Sequence, residues 1–556
     1  MAPASQSLSH PKPISLQEEQ RRSANYHPSI WDPSVIKSFT TPYTYEFHNT
    51  KLEELKQKAD KLFASTKDTA ALLKLIDSLR RLGVAYHFDK QIEEALTQLH
   101  VDQNVSINDL STAALYFRLL REHGYPVSAD VFKKFKGGDG EFMDSLNRDV
   151  EGLLCLDEAS FLGVQGEKIL EQAKGFASES LKTLIGKLDK NKAKHVQQSL
   201  EVPLYWRMER IEARNFIDSY QTDNAKSSVL LELAKLDYNL IQSTYQQELK
   251  ELAEWWGELN FKEKLSFSRD RLMEIYFWAT GLSFEPQYSK CRICFTKYAC
   301  LATVVDDIYD IYGSLDELES FTKAVIGWDV KAVEELPEYM RVMFSAMSKF
   351  TNELAEGTLR DHGLDVLPYI QEQWAILCRA HITEARWFYG GHTPTFDEYI
   401  QNGWISIGSL GGLVLLCFVE ADSIVEQFPH CIKDYSQLFY WSSLITRLSD
   451  DLGTSKAEME RGDIPKAVQS YMIEKGVSEE EARDHVKNLI SDSWKKINEE
   501  ITDNTFPKVI VNLSKNMART AQCMYQHGDG VGTSTGVTKD CIVSSILKPI
   551  SIKNMD

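Results

Sequence analysis

Residues 230–241 read Leu230-Leu-Glu-Leu-Ala-Lys-Leu-Asp-Tyr-Asn-Leu-Ile241, with apolar side chains recurring at Leu230, Leu233, Leu236, Leu240 and Ile241. Steps of three and four residues put these side chains on one face of an α-helix. Leu72, Leu73, Ile76, Leu79 and Leu82 repeat the spacing upstream. Ala114, Phe117, Arg118 and Arg121 belong to a further helix that ends at Gly124-Tyr125-Pro126. Alternating β-branched runs between Gly/Asn turns are almost absent, and 16 prolines in 556 residues leave long uninterrupted segments. The expected fold is all-α.

At roughly 100–200 residues per domain, the length allows two or more full cores. Loop signals fall at Lys136–Gly140, at Tyr220-Gln-Thr-Asp-Asn-Ala225, at Gly390–Pro394 and at Gly528–Gly536. The second precedes a fresh run of long helices and makes the best boundary. The division expected is 1–31, 32–222 and 223–556. No fixed repeat appears, which argues against a solenoid. The balance of 62 Lys+Arg against 81 Asp+Glu gives a charge of −19, so nucleic acid is a poor partner unless cations intervene. Nine cysteines without a compact framework read as reduced thiols. Cys291-Arg-Ile-Cys294 has no second cysteine or histidine pair to complete a zinc site. The apolar stretch Ile405–Val419 is too short to span a bilayer and reads as a buried helix.

The chemistry concentrates in the carboxy-terminal half. Asp306-Asp307-Ile-Tyr-Asp310 follows the apolar run Cys300-Leu-Ala-Thr-Val-Val305. Asp306 and Asp310 fall about 40° apart on one helical face. Tyr312-Gly313-Ser314 looks like a helix end, with Gly313 expected as a left-handed cap. Acids at a helix C-terminus oppose its dipole, at about 0.3–1 kcal/mol each. They make better sense there as hard oxygen ligands for a divalent cation.

The second cluster reads Arg447-Leu-Ser-Asp450-Asp451-Leu-Gly-Thr454-Ser-Lys-Ala-Glu458. Asp450, Thr454 and Glu458 are spaced four and four, and offer a carboxylate, a hydroxyl and a carboxylate, a set suited to Mg²⁺ rather than zinc. A charged helix face explains either cluster alone. The two lie 450 − 306 = 144 residues apart, each after an apolar helix, so facing helices would bring them to opposite walls of one pocket. Carboxylates crowded there repel until metal binds, and such metals keep positions open for phosphate oxygens. Arg447, with Arg269 and Arg271 from Ser268-Arg-Asp-Arg271, would supply donors to the same phosphates. Without the acidic clusters, Arg269 and Arg271 read better as surface partners of Asp270 or Glu274.

These residues, in this order, resemble the plant class I terpene synthases over nearly the whole chain. Asp306, Asp307 and Asp310 match the DDxxD motif; Asp450, Thr454 and Glu458 match (N/D)Dxx(S/T)xxxE; Arg269 and Arg271 match RxR; and Arg447 matches the arginine ahead of the second metal motif. Arg21-Arg22 followed by Trp31 matches RRx8W. The resemblance implies a carboxy-terminal catalytic bundle and an amino-terminal, α-barrel-like relic of a class II cyclase, here without the DxDD acid motif. It also implies that Asp306, Asp307, Asp310, Asp450, Thr454 and Glu458 hold three Mg²⁺ ions, or Mn²⁺. Arg269, Arg271 and Arg447 would grip the diphosphate of an isoprenyl substrate, beside Asp306, Asp310 and Asp450. Arg21, Arg22 and Trp31 would lie over the pocket mouth.

Trp278 resembles the family's pocket-floor tryptophan and Tyr525 its pocket tyrosine, with Asp529 on the next loop. Ile405, Ser406 and Gly408 resemble its broken helix, where Gly408, Gly411 and Gly412 would free carbonyl dipoles to face a cation; close helix packing through small residues is the other reading. In the loop Gly528-Asp-Gly-Val-Gly532, Val531 replaces an aromatic residue that some members carry. The loop is no nucleotide fingerprint, since no strand precedes it.

The expected activity is Mg²⁺-dependent ionisation of farnesyl or geranyl diphosphate to an allylic cation and a volatile terpene, by a monomer without membrane insertion. Three rivals stand beside it: a plastid enzyme restricted to geranyl diphosphate, a chain-elongating prenyltransferase, and a catalytically silent helical scaffold. The first twenty residues, with no apolar block and no arginine, lead to the cytosol as the expected compartment, or to the plastid if a leader has been removed.

Overall fold

The computed structural model describes residues 21–24, 26–102, 107–420, 437–502, 506–533 and 535–552. The leader and Cys431 therefore lie outside the described residues. The fold is all-α, and no strand occurs among the described residues. In the amino-terminal half, α1 (Thr69–Arg81), α2 (Leu110–Glu122), α3 (Val150–Ser160) and α4 (Lys168–Leu184) pack in succession, with α5 (Glu209–Thr222) against α1. Asp68 and Asp109 cap α1 and α2 by accepting from Ala71 and Thr112 backbone N–H groups, which satisfies donors a helix start leaves open. Leu73, Ile76, Leu79 and Leu82 of the expected stripe are buried. Gly124, just beyond α2, takes the positive φ of 82° that lets the chain turn there.

The carboxy-terminal half opens with α6 (Ser228–Leu259), whose 230–241 stripe is buried. It continues with α7 (Leu272–Leu282), α8 (Ser289–Asp307), α9 (Leu367–Gly390), α10 (Phe396–Ser406), α11 (Ser409–Val419), α12 (Gln437–Arg461) and α13 (Lys508–Tyr525). Phe396–Val419 is long and apolar enough to cross a bilayer by composition. It is instead broken between α10 and α11, and Leu410, Leu413, Val414 and Phe418 are buried in the bundle core. The stretch from Ile405 onward, read from its composition as one buried helix, is thus two, with the break where the family resemblance implies it. Gly408 sits at the break with a positive φ of 78°, a backbone state few residues other than glycine adopt at low cost.

Two apolar cores result among the described residues. One lies within the carboxy-terminal bundle and takes in Trp31, Trp278, Phe295, Tyr298 and Met517. The other joins Leu73, Phe117 and Leu153 of the amino-terminal half to Leu438, Leu444, Ile445 and Leu448 on the back of α12. The eight described cysteines are free thiols, and Cys291 Sγ donates to Glu420 Oε1 at 2.9 Å.

A buried ion pair ties α6 to α8. Arg292 is fully buried and its guanidinium forks onto Glu248 (Nε to Oε2 2.9 Å, Nη2 to Oε1 2.6 Å). Its remaining donors reach the carbonyls of Ser283 and Glu285 at 2.9 and 2.7 Å, and Tyr276 donates to Glu248 at 2.7 Å. Removing one partner of such a pair strands a charge and costs about 3–5 kcal/mol. Arg292→Leu is therefore expected to lower the thermal midpoint followed by circular dichroism. The double change with Glu248→Leu should recover part of the loss. An unchanged midpoint in the single variant would show that the pair carries no stability.

Candidate active site

Asp306 and Asp310 line a cavity at the carboxy-terminal end of α8, and Asp450, Thr454 and Glu458 of α12 line the same cavity. The space is ≈ 180 Å³, above the roughly 150 Å³ of an engineered cavity that takes up benzene, so a small hydrocarbon fits. Tyr26, Trp278, Phe295, Tyr298 and Tyr525 supply aromatic wall.

α8 does not end as the sequence reading expects. Its helix widens into a π-type turn over Ile308–Tyr312, closed by Gly313 N–H donating to the Ile308 carbonyl at 2.8 Å. Gly313 is extended (φ −75°) rather than left-handed. Its small size is what the turn uses, because a Cβ there would lie 2.5 Å from the Leu318 side chain. π-turns of this kind are often found at functional sites.

The next residue along a helix is rotated about 100°, and Asp307 accordingly faces away from the lining occupied by Asp306 and Asp310. It is fully buried, accepts from the Arg269 backbone N–H at 2.7 Å and lies 2.8 Å from Arg269 Nε. Burial, partly offset by Arg269, raises its carboxyl to about 6. Arg269 also pairs with Asp306 and lines the cavity. Asp307 is thus placed to hold an arginine rather than to face the cavity. Arg271 also stands outside the lining and donates to the carbonyls of His27 and Gly532, both at 2.7 Å.

On α12, Arg447 pairs with Asp450 and lies 2.8 Å from Asp451. Asp451 is fully buried and accepts from Tyr399 Oη and from the Ala467 N–H, both at 3.0 Å. Thr454 Oγ1 donates to the Asp450 carbonyl at 2.9 Å. Glu458 Oε2 is buried without a hydrogen-bond partner. Lys466, which follows α12, was not singled out by the sequence reading. It is 4% exposed, lines the cavity and donates to Glu384 at 3.2 Å. Burial alone would depress its ammonium, yet Glu384, Asp310 and Glu458 keep it well above the usual range.

The acids divide by environment. Burial and then the nearby Asp306 push Asp310 well above the carboxylate range. Burial also raises Glu458. Asp306 is lowered, because Arg269 and His381 outweigh its burial. A site of this kind gains from a bound cation. The donor set fits one: oxygen atoms of Asp306 and Asp310 and a nitrogen of His381 lie within 4.8 Å of one another, and Glu458 offers an unengaged oxygen on the other wall. His381, three residues before Glu384 in an otherwise ordinary helix, gave no spacing signal in the sequence.

The aromatic end is set by α7 and α13. Trp278 and Tyr525 meet edge to face, centroids 6.0 Å apart, and Trp278 Nε1 donates to Met517 Sδ. Burial holds the Tyr525 phenol far above its ordinary value, so it stays neutral. Asp529 lines the cavity, with Oδ1 accepting from the Gly532 N–H at 2.6 Å, and Val531 lines it as well. At the helix break, Ser406, Ile407, Gly408 and Ser409 line the cavity, whereas Ile405 does not. The Gly408 carbonyl is already taken by Tyr298 Oη at 2.9 Å. A Cβ at Gly411 would run into the Tyr298 hydroxyl, and one at Gly412 would lie 2.8 Å from the Phe295 ring. Those two glycines thus allow close packing, and Gly408 provides the break.

Residues 21–24 and 26–31 lie across the mouth. Arg21 donates to the Tyr312 carbonyl and forks onto Glu317; Arg22 donates to the Asp310 carbonyl at 2.9 Å and to Asp463 at 2.8 Å. Tyr26 stacks on Arg269, 4.8 Å from its guanidinium carbon, and lines the cavity. Trp31 is buried in the carboxy-terminal core.

Comparison with known proteins agrees with this geometry. Residues 257–496 match the family model for the terpene synthase family metal binding domain, and residues 30–201 match that for the terpene synthase N-terminal domain. A chloroplastic trans-ocimene synthase from Litsea cubeba is 49% identical, covering 98% of this chain and 95% of its own. A (-)-alpha-terpineol synthase from Vitis vinifera is 45% identical, covering 95% and 91%. Among solved structures, limonene synthase with 2-fluorolinalyl diphosphate superposes with a TM-score of 0.93 at 40% identity, covering 96% of this chain and 100% of that one. Isoprene synthase from Populus x canescens, in complex with three Mg²⁺ ions and dimethylallyl-S-thiolodiphosphate, gives 0.85 at 40% identity, covering 94% and 99%. Two carboxylate walls around one aromatic cavity, in a helical chain that matches both family models, make this chain a member of the plant terpene synthase family.

Proposed function

We propose that the chain ionises geranyl diphosphate, releases inorganic diphosphate and converts the ten-carbon allylic cation into a volatile monoterpene. The observation that carries this is the meeting of Asp306 and Asp310 with Asp450 and Glu458 around one aromatic-walled cavity. Ocimene, terpineol, thujene and myrcene, the products named for its relatives, are ten-carbon compounds. That favours geranyl over farnesyl diphosphate. Several of those relatives are named chloroplastic, so the plastid replaces the cytosol as the compartment proposed.

Asp306 and Asp310 on one wall and Asp450, Thr454 and Glu458 on the other would hold three Mg²⁺ ions, or Mn²⁺. Such ions supply Lewis-acid neutralisation of the charge that develops on the leaving diphosphate. Arg269, Arg447 and Lys466 line the same end and offer charge-assisted donors to its oxygens. Asp307 and Asp451 hold Arg269 and Arg447 in place. Trp278, Tyr525, Phe295 and Tyr298 give the cation a non-nucleophilic surface; a cation–π contact contributes about 0.5–2 kcal/mol, enough to steer the cation but too little to ionise the substrate. Arg21, Arg22 and Tyr26 keep water from the mouth, with Trp31 anchoring the segment in the core and Arg271 fastening it to the 528–533 loop. The chemistry needs one copy of the chain, and neither a membrane nor nucleic acid.

Incubation of purified protein with Mg²⁺ and either geranyl or farnesyl diphosphate, followed by mass spectrometry of the volatiles, is expected to show a ten-carbon product as the dominant output. A longer diphosphate appearing on addition of isopentenyl diphosphate, or no turnover at all, would overturn the assignment. Asp310→Asn and Glu458→Gln should each lower kcat by at least about a hundredfold, with the far-ultraviolet circular dichroism unchanged. Ile407→Ala and Val531→Phe should redistribute products, whereas Ile405→Ala, outside the lining, should not.

A further inference from the structure

His381 lies on α9, opposite the acidic end of α8, and is 2% exposed. Its Nδ1 is buried and has no hydrogen-bond partner. The nearest acid is Asp306, whose Oδ1 is 4.0 Å away. That is too long for a hydrogen bond. It does fall within the span of two donors on one ion, which runs from roughly 3 Å when adjacent to just over 4 Å when opposed, given metal–ligand distances of about 2.0–2.3 Å. Asp310 completes the group, with one ligand atom from each residue within 4.8 Å of the others.

The ring cannot readily turn away. It stacks on Tyr309 with centroids 5.4 Å apart and planes 22° from parallel, and Tyr309 is itself fixed by a 2.7 Å bond to Thr322. Glu384, the other acid near His381, already accepts from Lys466, Ser406 and Asn402. A buried nitrogen aimed at two carboxylates and left without a partner is unusual in folded proteins.

We propose that His381 contributes Nδ1 as a nitrogen ligand to the divalent ion held by Asp306 and Asp310. This rests on the metal-binding role proposed above for those two acids. The two walls then differ in kind. The α12 wall presents only oxygen, whereas the α8 wall presents two oxygens and an imidazole nitrogen. Imidazole shifts preference along the divalent series from Mg²⁺ toward Mn²⁺ and Co²⁺, so the α8 wall takes Mn²⁺ first when both metals are present.

The test is spectroscopic. The full-length protein is loaded with one equivalent of Mn²⁺ and inorganic diphosphate, and electron spin echo modulation is recorded. Directly bound imidazole ¹⁴N is expected, and it should convert to the ¹⁵N pattern when the wild-type protein carries ¹⁵N-histidine. The modulation should vanish in His381→Phe, and Mn²⁺ should bind there at least about tenfold more weakly while Mg²⁺ affinity changes less. The isotope arm needs no variant, so a misfolded His381→Phe leaves the question decidable. Bound Mn²⁺ without directly coupled nitrogen, or coupling that survives in His381→Phe, would overturn the ligand assignment while leaving geranyl diphosphate turnover intact. Absence of both Mn²⁺ binding and turnover would remove the metal site itself, and His381 with it.

Discussion

Mutual repulsion among carboxylates in a poorly solvated cavity is the constraint around which the carboxy-terminal bundle is arranged. Asp306, Asp310, Asp450 and Glu458 face one space, and acids so placed would protonate or drive the helices apart without counter-charge. The chain supplies part of that charge permanently. Arg269 is clamped by Asp306 and Asp307, Arg447 by Asp450 and Asp451, and Lys466 by Glu384. Each cation thus has an acid that secures it and a cavity it serves. What remains least compensated, at Asp310 and Glu458, where Lys466 does not outweigh burial, is where added cations gain most.

The mouth segment is coupled to this balance through the backbone. Arg22 binds the carbonyl of Asp310, and Arg21 that of Tyr312, so the strap grips the same π-turn that carries a cavity acid. Arg271 grips the strap from the other side and also holds the 528–533 loop beside Asp529. Closure over the mouth and placement of the acid are therefore parts of one structure.

Much of this was legible from periodicity and spacing. The 230–241 stripe and the paired acidic clusters depend on local regularities that a helix converts directly into geometry, whereas the break at Gly408 followed from the family resemblance alone. Where the sequence reading departed from the structure, the cause was rotation or closure that spacing does not encode. Asp307 belongs to the same run as Asp306 yet faces the other way. Gly313 resembles a left-handed cap but is needed for its missing Cβ, because the π-turn brings Leu318 against it. Ile405 and Ile407 both precede the break, yet only Ile407 lines the cavity. His381 and Lys466 were invisible because each is a single residue of ordinary type, brought to the cavity by elements that meet only in the fold.

The second apolar core has a bearing on how such chains can be recombined. It runs without interruption from Leu73 and Phe117 to Leu444 and Leu448 on the reverse side of the helix that carries Glu458. A chimera joined near residue 223 would graft one relative's half onto another's and set two independently drifting hydrophobic faces against each other, one helix thickness from the site. Mispacking there would tilt the helix bearing Asp450 and Glu458, so product spectra of hybrids should carry a signature of the donor half even though it contributes no wall to the cavity beyond the strap.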